Sequence, residues 1–369
     1  MKKIILALTF LAFTVNLNAQ YKMTGVPPVK QDTIHSDIVG EDYYLQITLP
    51  LMFNPANKKY PVLFYLDAFG TSAGMNELAK GKMFSRRFEE FIMVGISYNA
   101  NPLIYGKLRE RDYSPPLNAE DTEHGGGKFL KFIKSELIPH MESNYGADPN
   151  DRGILGASAG GLFATWAFKQ EPELFSKLAL ISPALWYGGD ELILEDPVFL
   201  KNIENVKDLD VFIAYGSLEG IDFISLGDKL YNAFKSNENI QVQKVIFEDE
   251  DHGSVWNAAS SRALHTFYQD AFKAAVKEVD KMYYEGRYGD AASAYELVFE
   301  KFPNKVDDGN EYDLACIFAL MGDSDSAFEY LNKLDKGYRD WPEKMNRDTD
   351  LKSLHKDKRW VPLLESLKK

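Results

Sequence analysis

A serine set among glycines is the first place in this chain where chemistry could reside. Gly156-Ala157-Ser158-Ala159-Gly160-Gly161 follows a strand-like run at residues 153–155 and opens a helix-compatible stretch at residues 161–170. A nucleophile in such a strand-to-helix turn is held on strained backbone at the edge of a sheet, and the flanking glycines leave space for the turn. The helix starting there supplies N–H groups and a positive dipole end to a developing oxyanion. A serine hydroxyl also needs a base. Six histidines are present. His35 lies towards the N-terminus, His124 precedes a helix, His140 and His265 fall on predicted helices, and His355 is in the C-terminal region. His252 differs. It comes straight after the last strand-like run, in Glu248-Asp249-Glu250-Asp251-His252-Gly253, where neighbouring acids would favour an imidazolium formed during turnover.

The remaining parts of such a site can be placed by the same logic. An acid that orients His252 should come after the strand-like run at residues 211–214. Glu219 and Asp222 both qualify, and Glu219 is preferred because it is nearer the strand end. The first oxyanion donor is the N–H of Ala159. The second is expected from Asp67-Ala68-Phe69-Gly70, so Ala68 or Phe69 is the candidate. Trp186 and Tyr187 come after the run at residues 178–181 and are candidate pocket walls, since aromatic rings offer rigid apolar area. Arg111-Asp112 reads as a structural ion pair holding a loop rather than as a substrate clamp.

These residues need a sheet to hold them. Residues 43–49 alternate in polarity as an antiparallel strand would. Buried-strand runs occur at residues 60–66, 91–96, 178–181 and 211–214, and residues 242–247 close the set. Between them, residues 128–145 carry apolar side chains at helical spacing. Strands separated by helices imply a mainly parallel sheet covered on both faces, an α/β class. From Ser254 to Glu285 there is no Gly or Pro, so the last helix of this unit is expected to run into the C-terminal region with little linker.

The C-terminal part shows a weak repeat. Gly286-Arg287-Tyr288-Gly289-Asp290-Ala291-Ala292 recurs in outline as Gly322-Asp323-Ser324-Asp325-Ser326-Ala327-Phe328, with a glycine for an interhelical turn and a small alanine five residues later. The pattern resembles tetratricopeptide repeats, and it predicts a small all-α helical-repeat domain over residues 276–369 that could bind a protein partner.

Composition bounds the function. The chain has 369 residues, 45% apolar and 26% charged, with a net charge of −13. That balance is globular, and the negative charge disfavours nucleic acid and anionic lipid surfaces as partners. One cysteine, Cys316, excludes an intrachain disulfide and lies in an apolar run as a structural thiol would. No zinc spacing or phosphate-binding glycine loop is present, so no metal or cofactor is implied. Lys2 and Lys3 precede an apolar run that ends before Asn18-Ala19-Gln20, the layout of a secretory signal over residues 1–19. Cleavage is expected after Ala19, giving a periplasmic or secreted protein with no membrane insertion after signal cleavage.

Several segments together resemble the putative esterase family of α/β-hydrolases, over roughly residues 40–270. They are Pro61-Val62-Leu63-Phe64-Tyr65-Leu66-Asp67, Arg111-Asp112-Tyr113-Ser114-Pro115, Gly126-Gly127-Lys128-Phe129-Leu130, the Ser158 motif, Ile181-Ser182-Pro183-Ala184-Leu185-Trp186 and Asp251-His252-Gly253. The serine-to-tryptophan spacing looks most similar to siderophore esterases. The resemblance implies an α/β-hydrolase fold, for a domain bounded at residues 20–275 by the signal segment and the helical stretch after Ser254, and cleavage of carboxylic esters, either small-molecule siderophore lactones or acyl groups on polysaccharides. It implies Ser158 and His252 as catalytic, and it leaves the acid open, because that branch departs from a standard triad. Two other readings stand beside it: an idle hydrolase-fold platform that binds partners through its repeats, and acyl transfer to an alcohol.

Overall fold

The computed structural model describes residues 29–85, 87–118, 120–121, 124–189, 193–335 and 340–368; the expected signal segment lies outside them. Eight strands form one sheet. They are β1 (Val29–Ser36), β2 (Glu41–Thr48), β3 (Tyr60–Tyr65), β4 (Ile92–Tyr98), β5 (Ala147–Ala157), β6 (Lys177–Ile181), β7 (Leu209–Gly216) and β8 (Ile240–Phe247), in the order β1-β2-β4-β3-β5-β6-β7-β8. The β1–β2 and β2–β4 pairings are antiparallel and all the others parallel. The mainly parallel α/β sheet expected from the alternation of elements is therefore present. β1 was not anticipated: it carries Lys30, Gln31, Asp32 and His35 on an edge, so its sequence lacks a buried strand's apolar run.

Helices cover both faces, and the period-2 rule sorts the strand residues between them. On β3, Tyr60, Val62 and Phe64 join one apolar cluster, while Leu63 and Tyr65 join the other. The second cluster is roofed by α1 (Ala68–Phe84) and, from later in the chain, α8 (Val255–Tyr268). The first is roofed by α2 (Pro102–Tyr113), α3 (Gly126–Phe132), α4 (Ile138–Tyr145), α5 (Ala159–Gln170), α6 (Pro197–Asn205) and α7 (Ile221–Lys235). α3 and α4 are the expected helix over residues 128–145, interrupted by a π-helical turn at Ile133–Leu137.

The gap-free stretch after Ser254 does not form one helix. α8 stops at Tyr268, and α9 (Ala271–Tyr284) starts afresh, with the Asp270 carboxylate accepting from the N–H groups of Phe272 and Lys273. Asp270 is a helix N-cap within an otherwise helix-compatible run, and cap chemistry overrides propensity there. Beyond it lie α10 (Tyr288–Lys301), α11 (Asp308–Met321), α12 (Ser324–Leu331), α13 (Trp341–Arg347) and α14 (Trp360–Ser366). Gly286 and Gly322 occupy the turns after α9 and α11 at φ 74° and 82°, and Ala291 and Ala327 are fully buried five residues on. The helical part has its own apolar cluster, reaching from Val279 to Leu367. Cys316 is buried within it, and burial pushes its thiol far above the ordinary range. Among the described residues, no helix is long and apolar enough to cross a membrane.

Candidate active site

Ser158 lies between β5 and α5 with φ 55° and ψ −119°, the strained turn expected of the motif. The tightness of that turn explains Gly156. A Cβ there would stand 2.3 Å from the carbonyl oxygen of Gly160, so a side chain cannot be accommodated without moving backbone. The Ser158 N–H donates to Ile181 O at 3.0 Å, and its carbonyl accepts from Ala184 N–H at 3.1 Å. The Ser158 position is thus tied to the end of neighbouring β6.

Glu219 comes after β7 and His252 after β8, so both lie with Ser158 at the C-terminal edge of the parallel strands. Glu219 Oε2 is 2.9 Å from His252 Nδ1, with the carboxylate fully buried and the imidazole 42% exposed. Glu219 Oε1 accepts from Gly216 N–H at 2.8 Å and from the Ser182 hydroxyl. Burial alone would raise this carboxyl. The hydrogen bonds from His252, Gly216 and Ser182 outweigh it and hold Glu219 below the usual glutamate range. The supporting loops are also stitched together: Ser182 N–H donates to Ala214 O at 2.8 Å, and Leu218 N–H to Glu250 O at 3.0 Å. Asp222, the alternative acid, sits exposed in the first turn of α7.

The other expected residues surround this pair at varying distance. Ala159 opens α5, and Ala68 and Phe69 open α1; Ala68 is buried and Phe69 half-exposed. Phe69 packs on Tyr105, ring centroids 5.0 Å apart. Trp186 stacks edge-on against Phe223 at 4.3 Å, and Phe223 lies 4.7 Å from the His252 ring. Trp186 is thereby linked to His252 through one aromatic ring. Tyr187 points elsewhere, its hydroxyl donating to Pro115 O at 3.3 Å. Arg111 and Asp112 form the structural pair expected of them: Asp112 is buried, bonded twice by Arg111 at 2.7 and 3.0 Å and by the hydroxyls of Tyr43 and Tyr98. Three of the remaining histidines pair with carboxylates outside this constellation: His35 with Asp42, His124 with Asp121 and His140 with Asp32.

Two residues escaped the sequence reading. Arg109, on α2, grips Asp67 with both prongs of its guanidinium, at 2.6 and 2.9 Å, and Tyr105 OH donates to the same carboxylate at 3.1 Å. Asp67 is left-handed, φ 61°, immediately before Ala68, so Arg109 clamps the loop that presents Ala68. Ser182 is the second. Neither partner could be read from spacing, because each contact spans more than 35 residues.

The chain is similar to known proteins in sequence and in fold. A family model described as putative esterase matches residues 36–275. The ferri-bacillibactin esterase of Bacillus subtilis is 29% identical over 262 residues, which is 65% of this chain and 89% of that protein. The apo-salmochelin esterase of Escherichia coli O6:H1 is 26% identical over 163 residues, 41% of this chain and 49% of that one. Among solved structures, the BES protein of Bacillus cereus superposes with a TM-score of 0.59 at 23% identity, covering 65% of this chain and 94% of its own. An uncharacterised protein from Capnocytophaga ochracea superposes with a TM-score of 0.55 at 14% identity over 83% of this chain and 93% of its own. That coverage exceeds what residues 1–275 could supply, so the fold likeness reaches into the C-terminal helices. The fold is that of the α/β-hydrolases, with an all-helical region appended. The chain belongs to the putative esterase family.

Proposed function

We propose that this chain is an exported serine esterase, with Ser158 as nucleophile, His252 as general base and Glu219 as the acid that orients it. Ser158 Oγ attacks the ester carbonyl carbon as His252 Nε2 takes its proton. Glu219 accepts the Nδ1–H and stabilises the imidazolium. Backbone N–H groups of Ala159 and Ala68 receive the oxyanion. Ala68 is favoured over Phe69 because Ala68 is buried beside the clamped Asp67 while Phe69 is half-exposed. His252 then protonates the departing alcohol, and water, deprotonated by the same imidazole, releases the acid from the acyl-enzyme.

The observation that carries this reading is the 2.9 Å contact between a buried Glu219 and His252, on the sheet edge that also bears a strained Ser158. Similarity to an esterase of ferri-bacillibactin favours siderophore lactones over acylated polysaccharides as substrates. Export is read from residues 1–19. The boundary near residue 275 and the tetratricopeptide-like character of the tail are supported by a separate apolar cluster and by the matched Gly286 and Gly322 turns. The test is a panel of siderophore lactones and simple acyl esters assayed with wild type and Ser158→Ala. Turnover only by wild type supports the reading. Undiminished turnover by the variant removes the nucleophile.

A further inference from the structure

We propose that Ser182 is a positioning residue for this site, its hydroxyl fixing the Glu219 carboxylate so that one oxygen is presented to His252. The inference rests on the assignment of Glu219 and His252 made above.

Ser182 stands at the end of β6, between the strands that lead to Ser158 and to Glu219. It belongs to the Ile181-Ser182-Pro183 segment, to which the sequence assigns no role. Its side chain is buried, and the hydroxyl donates to Glu219 Oε1, where Gly216 N–H also arrives. The two carboxylate oxygens therefore have separate tasks. Oε1 takes two fixed donors, and Oε2 is left for His252. A glutamate has one more rotatable bond than an aspartate, so its terminal plane turns freely unless one edge is pinned. Two donors on Oε1 pin it, and rotation would break both bonds at once.

The backbone supports the same conclusion. Ser182 has φ 43°, a left-handed conformation in which glycine would be unstrained and serine is not. Such an outlier persists where its surroundings over-determine it, and it clusters at functional sites. Here the conformation is held by Ser182 N–H donating to Ala214 O, and the side chain is directed at Glu219. A glycine would ease the backbone but supply no hydroxyl.

That contrast defines the experiment. Ser182→Ala and Ser182→Gly are each made alone and combined with Glu219→Gln, and kcat and KM are measured on p-nitrophenyl butyrate, with thermal melts as a check on folding. Both single variants should lower kcat about tenfold with KM within about twofold, the scale of a hydrogen bond to a charged group felt through one residue. In the Glu219→Gln background, removing the hydroxyl should change kcat by less than about twofold, because coupled residues are non-additive. Unchanged kcat in both Ser182 variants overturns the proposal. So does an equal fold-loss in the Glu219→Gln background, which would mark a packing effect. A loss in Ser182→Ala but not in Ser182→Gly also overturns it, since backbone strain would then be the cause. A silent Glu219→Gln removes the acid assignment and this proposal together. A damaging Glu219→Gln beside silent Ser182 variants removes this proposal alone.

Discussion

Ser158 combines a serine side chain with a backbone conformation that few serines adopt, and its replacement gives the most direct test at the scale of single residues. Ser158→Ala should abolish both ester hydrolysis and labelling by a fluorophosphonate probe while leaving the melting temperature close to wild type; labelling that persists at another residue would relocate the nucleophile. Glu219→Gln should lower kcat by about 10²-fold or more, because the amide cannot stabilise the imidazolium by charge and can favour the wrong tautomer. Asp222→Asn should be nearly neutral, since Asp222 is exposed on α7. The reverse ranking, read from kcat of the two variants, would contradict the geometry. Glu219 also makes a pH prediction. Its folded-state value is depressed, so the stability from its ionised form is fully present above the ordinary glutamate pKa, about 4.3, and is lost as pH falls through the lowered value. Thermal melts of wild type and Glu219→Gln should therefore converge in acid, and a gap that stays constant from pH 7 to pH 3 would contradict this. Ser158 and His252 were legible in the sequence because a local motif and chain order point to them. Glu219 was legible only as the nearer of two acids. Arg109 and Ser182 were not, because a side chain's long-range partner leaves no trace in local spacing.

At the scale of elements, the site depends on how strand ends hand over to helices. Gly156→Ala places a methyl group against the backbone of Gly160, where no flexible side chain can yield. It should destabilise the fold by about 2–4 kcal/mol, in the range of overpacking and backbone strain. Denaturant melts would show this as a shifted midpoint, and an unchanged midpoint would mean that the turn relaxes. Arg109→Lys probes the clamp on the loop before α1. A lysine keeps the charge but loses the two-pronged grip on Asp67, so kcat should fall several-fold with little change in stability. The parallel strands were legible as apolar runs and α5 by its position after the motif. β1 was missed because an edge strand need not be apolar, and the break between α8 and α9 because a single aspartate cap outweighs a long run of helix formers.

Across the whole molecule, the helical tail and the sheet domain have separate apolar clusters and meet through polar contacts such as Lys305 with Asp270 and Glu89. Removing residues from about 280 onward should lower solubility or stability more than turnover per folded molecule, because every proposed catalytic residue precedes that point. A well-folded truncation that loses activity only on its natural substrate would assign recognition to the tail. The division was visible in the sequence through the glycine repeat. The register of the junction was not, since Asp270 serves at once as helix cap and as partner of Lys305. Cys316 gives this arrangement an experimental handle. It is the only thiol in the chain, and it is 5% exposed in the core of the tail. It lines a cavity with Tyr283, Tyr312 and Lys344 but is nearly buried, so attachment of a bulky maleimide dye should quicken when the tail opens, giving a clock for tail breathing that leaves the hydrolase half unmodified. Run before and after covalent labelling of Ser158 by a fluorophosphonate, that clock would register whether events at the sheet edge are felt in the helices.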